Sequence, residues 1–111
     1  MDISLVEIRY YQTRSKQCPF RQWLDSLDGQ TRKRADARLT RLERGHFGDT
    51  EPVGGGVFEL KLDVGPGYRI YFGRAGQLVV ILLCAGDKKG QSADIRKAQI
   101  LWRDYLRRTE R

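Results

Sequence analysis

Apolar and polar residues alternate along two short runs in the middle of the chain, residues 57–62 and 68–72. Such alternation predicts two β-strands with one buried face, and the Gly65-Pro66-Gly67 sequence between them predicts the turn of a hairpin. The face predicted to be buried carries Phe58, Leu60, Leu62, Tyr68, Ile70 and Phe72. The opposite face, predicted to be open, carries Glu59, Lys61, Arg69 and Tyr71.

The pairing of the two strands brings like charges together. If residues 63–67 form the connection, Lys61 lies opposite Arg69 and Glu59 lies opposite Tyr71. Like charges directly opposite each other on a sheet destabilise it. A bound anion such as a phosphate would relieve that repulsion, because it accepts hydrogen bonds from both cations. The alternative is a solvated face on which Glu59 neutralises both cations, and the hairpin alone does not choose between the two.

Two helices are predicted before the hairpin. Pro19 suits the first turn of a helix, and apolar residues follow it at helical spacing as far as Leu27. Asp28-Gly29 ends this helix. The second helix is predicted from about residue 30 to residue 44, with Gly45 directly after its end.

The remaining segments complete an α+β domain. Residues 3–11 alternate as a strand does, and residues 77–85 are apolar at almost every position, which is typical of a strand covered on both faces. Residues 45–56 are predicted to be a loop, and Ser92 is a candidate N-cap for a final helix. The predicted order is β-α-α-β-β-β-α, with helices packed on an antiparallel-rich sheet in one domain, residues 1–111.

Composition adds a class of partner. The 111 residues carry a formal net charge of +7, which favours an acidic partner such as nucleic acid. No secretory leader or membrane-spanning apolar run is visible, so we expect a cytoplasmic protein without membrane contact. Cys18 and Cys84 lack CxxC spacing and His46 is the sole histidine, so no metal site and no cofactor are expected.

The second helix is the most basic segment. Its cations outnumber Asp36 and Glu43. Such a face is often only solvated, but it can also follow a nucleic acid backbone through phosphate contacts. The cations of this helix are Arg32, Lys33, Arg34, Arg38, Arg41 and Arg44.

The residues on the hairpin are compatible with metal-free cleavage of RNA. No Ser-His-Asp set and no metal-binding cluster is visible, but in RNA the 2′-OH supplies the nucleophile. Arg69 suits stabilisation of the charge on phosphorus. Lys61 or Glu59 is a candidate base, and Lys88 or Tyr71 a candidate acid. Tyr71 could equally stack on a base.

Several segments resemble one toxin family. They are Phe20–Leu24, Phe58–Lys61, Gly65–Phe72 and Leu83–Gln91. In this order they resemble the HigB-like addiction module killer branch of the RelE/ParE toxin superfamily, over nearly the whole chain. The resemblance implies a RelE/ParE-like fold and a type II toxin that cleaves mRNA on the translating ribosome without a metal or cofactor. It also implies a small helix-turn-helix, HigA-like antitoxin encoded in the same operon.

The resemblance assigns site residues by position. Lys61, Arg69 and Lys88 match the basic positions of the branch, although the first is often arginine there. Many RelE-like members end with a catalytic tyrosine or histidine, whereas this chain continues into a helix, so the general acid stays open. Two alternatives remain: a ParE-like inhibitor of DNA gyrase, and a relative that binds antitoxin or RNA without cleaving. Contacts to RNA or the ribosome are expected from Arg32, Lys33, Arg34, Arg38, Arg41, Tyr68 and Lys89.

Overall fold

The computed structural model describes residues 5–109 and has three helices and a five-stranded sheet. The strands are β1 (Glu7–Tyr10), β2 (Thr50–Gly54), β3 (Val57–Leu62), β4 (Tyr68–Arg74) and β5 (Val79–Gly86). The helices are α1 (Pro19–Asp25), α2 (Gly29–Glu43) and α3 (Gln91–Thr109), and a single 3₁₀ turn (Lys88–Gly90) precedes α3. The α+β class is confirmed. Residues 3 and 4 of the predicted first strand lie outside the described residues.

The sheet is mixed, in the spatial order β1-β5-β4-β3-β2. β1 runs parallel to β5, and the other three pairs are antiparallel. In the hairpin, Lys61 pairs with Arg69 and Glu59 pairs with Tyr71, so the predicted register is confirmed. β5 is an interior strand covered on both faces, as its continuous apolar sequence predicted.

Local signals in the sequence determine the ends of α1 and α2. Pro19 occupies the first turn of α1, where its missing N–H has no partner to lose. The Asp28 carboxylate caps α2 by accepting a hydrogen bond from the Thr31 N–H at 2.8 Å. Gly45 follows α2 with φ +86° and donates its N–H to the Leu42 carbonyl at 2.9 Å.

Helices cover both faces of the sheet. α1 and α2 pack on one face, where the buried residues are Val6, Phe20, Leu24, Ala35, Leu39, Leu42, Leu60, Leu62, Ile70, Phe72, Val80 and Leu82. α3 packs on the other, where they are Tyr11, Val57, Tyr71, Ile81, Leu83, Cys84, Ala98 and Trp102. Because α3 lies over the hairpin, the prediction of an open face was wrong. Glu59 is only 2% exposed and Tyr71 is 0% exposed.

Two further predictions need correction. Residues 50–54 were predicted to be loop, but they form β2, the edge strand beside β3. Pro52 is tolerated there because an edge strand leaves one row of N–H groups unpaired in any case. Ser92 is not an N-cap, because α3 has already begun at Gln91. The preceding turn is capped by the Asp87 carboxylate, which accepts from Lys89 N at 3.0 Å.

α3 approaches the sheet closely at two glycines. A Cβ on Gly73 would overlap the Trp102 ring, and a Cβ on Gly86 would overlap the Asp94 carboxylate. Only residues without side chains permit this distance between backbone and helix. Among residues 5–109, no helix is long and apolar enough to cross a membrane.

Candidate functional site

Three basic residues lie at one end of the sheet. Arg69 on β4 lies between Lys61 on β3 and Gly86 on β5. Lys88 follows Gly86 by two residues, in the 3₁₀ turn. A Cβ built on Gly67 would lie 3.7 Å from both Arg69 Nη1 and Lys88 Cβ, so these two side chains flank the hairpin turn. The structure therefore brings together the three basic residues that the sequence singled out.

A bulge in β5 produces this register. Tyr71 pairs with Cys84 but Phe72 pairs with Leu82, which leaves one extra residue in β5. The shift places Arg69 opposite Gly86. The side chain of Asp94, from α3, packs against this glycine.

The Arg69 side chain is oriented by its surroundings. Its Nε lies 3.3 Å from Glu59 Oε1, and its Nη1 donates to the Gly67 carbonyl at 3.2 Å. The side chain is 13% exposed. The Nε is buried and makes no hydrogen bond among the described residues, so the donors that remain for another partner are on the two Nη atoms.

Glu59, a predicted base, lies beneath Arg69. Its Oε1 accepts from Gln91 Nε2 at 2.7 Å, in addition to its charge contact with Arg69. At 2% exposure it does not reach the surface. The sequence analysis missed Gln91, since a polar residue at a helix start carries no pattern that would connect it to a strand far away in the chain.

Tyr71, a predicted general acid, is also buried. Its hydroxyl finds no hydrogen-bond partner among the described residues. Burial raises the pKa of Tyr71, and the negative charge of Glu59 raises it further. The phenol therefore stays protonated but has no surface from which to stack on a base.

Asp94 is a second carboxylate at this end of the sheet. It projects from the first turn of α3 toward Gly86, and a Cβ on Gly90 would lie 3.2 Å from its Oδ2. Burial raises the pKa of the Asp94 carboxyl, and the positive charge of Lys97 partly offsets this rise. Glu59 and Asp94 thus bring negative charge to the same end of the sheet as the cations.

A groove of about 730 Å³ separates α2 from the hairpin. Five cations and two carboxylates are among its lining residues. The lining residues are Arg34, Ala37, Arg38, Arg41, Gly48, Asp49, Lys61, Leu62, Asp63, Val64, Gly67, Tyr68 and Arg69. The cationic excess suits a ligand with several negative charges.

The cations predicted to contact RNA divide into three kinds. Arg34 and Arg41 are exposed and line the groove, together with the half-buried Tyr68. Arg38 is only 8% exposed and donates to the carbonyls of His46, at 3.0 Å, and of Phe47. These hydrogen bonds hold the loop after α2 against the helix.

The other predicted contacts lie away from the groove. Arg32 is ion-paired with Asp25 at 3.1 Å and with Asp36 at 3.6 Å. Lys33 and Lys89 are exposed but are not among the lining residues. The groove therefore brings together only part of the predicted set.

Among the described residues there is no metal-ligand cluster and no disulfide. Within residues 5–109, no group of three or more His, Cys, Asp and Glu side chains converges. Cys18 and Cys84 are both free thiols, and burial raises the pKa of Cys84 to about 12. A thiol with that pKa is not a nucleophile near neutral pH.

Comparison with known proteins assigns a family. The model of the family described as phage derived protein Gp49-like (DUF891) matches residues 22–103. This chain belongs to the Gp49-like family. The match runs from α1 into α3 and includes the whole hairpin and the 3₁₀ turn. The family is of the toxin–antitoxin type.

A curated protein is also similar to most of this chain. An uncharacterized protein from Haemophilus influenzae (strain ATCC 51907 / DSM 11121 / KW20 / Rd) is 43% identical over 83 residues. The aligned region covers 74% of this chain and 84% of the relative.

Proposed function

We propose that this Gp49-like protein is the toxin of a type II toxin–antitoxin module and acts as a HigB-like, ribosome-dependent endoribonuclease. The observation that carries the proposal is the convergence of Lys61, Arg69 and Lys88 at one end of the sheet. A phosphodiester placed there would meet three cations, with the planar donors of Arg69 between two lysines.

The proposed reaction is attack by the 2′-OH on the adjacent phosphorus. A base removes the 2′-OH proton, the O2′–P bond forms, the P–O5′ bond breaks, and the 5′-oxygen takes up a proton. The products are a 2′,3′-cyclic phosphate and a 5′-OH. Arg69 stabilises the negative charge that builds up on the phosphoryl oxygens. No metal ion enters these steps, in line with the resemblance to metal-free toxins.

The acid and base roles fall to the accessible residues of the site. Lys61 and Lys88 are within reach of a bound strand, and a lysine that acts as the base must do so in its neutral form. Glu59 and Tyr71 are buried, so we do not assign them proton transfer. Their burial also favours a second candidate function, a relative that binds RNA or antitoxin without cleaving it.

The groove extends the proposed site. Arg34 and Arg41 lie seven residues apart on α2, which places them on one helix face about 10 Å apart. There they can neutralise successive phosphates of a single strand. Tyr68 offers an aromatic ring for stacking with a base. Single-stranded RNA on the ribosome is therefore the proposed substrate.

The proposed partner is a small acidic antitoxin, HigA-like and encoded beside the toxin. The outer side of α3 exposes Arg96, Arg103 and Arg107 around Ile100, which is 56% exposed. An acidic amphipathic segment would complement this surface, and opposite charge would accelerate its association. Measured affinity for the neighbouring gene product should fall in Arg103→Glu, and an unchanged affinity would contradict this placement.

The main test is cleavage of mRNA in a purified translation system. We expect wild-type protein to cut only in the presence of ribosomes, and Arg69→Ala to lose roughly a hundredfold or more in rate, since it removes donors to the developing charge. Arg74→Ala is the matched control, because Arg74 lies on the same strand and its guanidinium donates to the Gln77 carbonyl instead. Circular dichroism verifies that each variant is folded.

A charge-matched pair of double variants tests the groove. Arg34→Ala with Arg41→Ala should slow cleavage by about tenfold or more, whereas Lys33→Ala with Arg44→Ala removes the same charge outside the groove and should have a smaller effect. Intact mRNA in an actively translating system that contains folded wild-type protein would overturn the nuclease proposal. In that case a gyrase supercoiling assay and an RNA-binding assay decide between the alternatives.

A further inference from the structure

The Glu59 carboxylate is buried and has two polar partners. A carboxylate that is 2% exposed is costly unless it is paired and hydrogen-bonded. Glu59 Oε1 accepts from Gln91 Nε2 at 2.7 Å and lies 3.3 Å from Arg69 Nε. Its two partners come from different elements, the first residue of α3 and the second residue of β4. The carboxylate therefore links α3 to the arginine of the candidate site.

The same contacts determine which way Arg69 faces. Its Nε lies 3.3 Å from Glu59 Oε1 in a charge contact without a hydrogen bond, its Nη1 donates to the Gly67 carbonyl, and the side chain stays 13% exposed. The donors that remain lie on the outer edge of the guanidinium, at the end of the sheet where Lys61 and Lys88 also lie. An arginine already held in one orientation loses little freedom when an anion binds.

Charge explains why a carboxylate is needed here. Lys61 is the direct cross-strand partner of Arg69, and two like charges in that position repel each other. Without a counter-charge beneath it, the guanidinium would turn away from Lys61 toward solvent. Glu59 offsets this repulsion, and Gln91 keeps the carboxylate in place.

We infer that Glu59 and Gln91 are positioning residues, which hold the Arg69 guanidinium with its outer donors directed at a phosphodiester. As far as the ligand is concerned, the inference rests on the proposed function. It gives Glu59 a role other than that of a general base. It also makes the docking of α3 a condition for the geometry of the site, since Gln91 is the first residue of that helix.

The first measurement is the NMR order parameter of the Arg69 Nε–H vector. In wild-type protein we expect a value near that of rigid backbone, roughly 0.85, and in Gln91→Ala a value below about 0.6. Gln91→Ala is the primary variant because it leaves the ion pair between Glu59 and Arg69 intact. Exposed Arg34 and Arg41 serve as mobile references in the same spectrum.

Gln99→Ala is the matched control. Gln99 is another glutamine of α3 that reaches the sheet, but its side chain donates to the Val53 carbonyl at 3.3 Å, whereas that of Gln91 donates to Glu59. Gln99→Ala should therefore leave the Arg69 order parameter unchanged. An Arg69 that is as mobile as Arg34 in wild-type protein would overturn the inference, as would equal effects of the two glutamine variants.

The second measurement is ribosome-dependent cleavage by the same variants. Gln91→Ala should reduce the rate by roughly three- to tenfold, and this loss should disappear in an Arg69→Ala background, because residues that act as a unit are not additive. If Glu59→Gln abolishes cleavage while Arg69 stays ordered, Glu59 is a base and the inference is wrong. If wild-type protein does not cleave but Gln91→Ala mobilises Arg69, the proposed function fails and the positioning of Arg69 stands.

Discussion

The two faces of the sheet bury different kinds of residues. The face under α1 and α2 is apolar along its whole length and includes an aromatic series in which Phe20 contacts Tyr10 and Trp23 at ring distances of 5.2 and 5.6 Å. The face under α3 is apolar near Trp102 but polar at the end where Glu59 and Arg69 lie. The first face stabilises the fold, and the second uses part of its buried area to orient charged groups. Stability thus rests mainly on the first face, while the arginine of the candidate site is held from the second.

The largest effect should come from the apolar face. Phe20→Ala removes a ring that is 0% exposed, and the cavity left behind should lower the free energy of unfolding by about 3–5 kcal/mol. Urea denaturation measures this loss. Leu106→Ala is the control, because that side chain is 46% exposed and its removal should change stability by less than about 0.5 kcal/mol. A loss below about 1 kcal/mol for Phe20→Ala would mean that α1 contributes little to the stability of this face.

An intermediate effect should come from the close approach of α3. Gly73→Ala adds a methyl group where Trp102 lies against the sheet, and the displaced helix should cost about 1–3 kcal/mol. The same substitution at Gly29, where no atom lies within 4 Å of the new Cβ, should instead stabilise α2 by about 0.4–1 kcal/mol. Thermal unfolding measures both, and near-ultraviolet circular dichroism reports on the tryptophan. Equal signs for the two variants would show that contact with α3 is not what Gly73 provides.

The smallest effect is a dependence on pH. Asp104 of α3 accepts from the Tyr11 hydroxyl at 2.5 Å and pairs with Arg108 at 2.8 Å. The Tyr11 hydrogen bond holds the pKa of Asp104 below its usual value. A carboxyl with a depressed folded-state pKa adds stability above its unfolded value of about 3.9, and loses it as the pH falls through the folded-state pKa.

Stability measured against pH tests this contribution. The difference in unfolding free energy between wild type and Asp104→Asn should therefore be present at about pH 7 and disappear toward about pH 2. A difference that persists at the acid end would assign the effect to packing and not to the charge of Asp104. The contact between Tyr11 and Asp104 would then stabilise the fold mainly by packing, as contacts on the apolar face do.

Local signals made much of the fold predictable. Pro19 and Gly45 have conformational preferences that act within a few residues, so they predicted where helices begin and end. The register of the hairpin followed from strand alternation and the length of its connection, which is why the pairing of Lys61 with Arg69 was predicted correctly.

Long-range packing limited the rest. Alternation assigned Glu59 and Tyr71 to the second face of the hairpin, but it cannot show that a helix from the end of the chain covers that face. The strand β2 contains Pro52 and exists because β3 offers it a partner, so its own sequence resembles a turn. Gln91 became visible as part of the site only when α3 was docked, since its role depends on one contact with Glu59.

The parallel pairing of β1 with β5 has a consequence for synthesis of the chain. Glu7 pairs with Val79, which is added to the chain only after both early helices and the hairpin. Contacts between such distant positions form slowly, because a long loop must close first. The first strand therefore has no partner in the sheet until β5 has been synthesised. The nascent chain can complete this sheet only after Gly86, the last residue of β5, has been added.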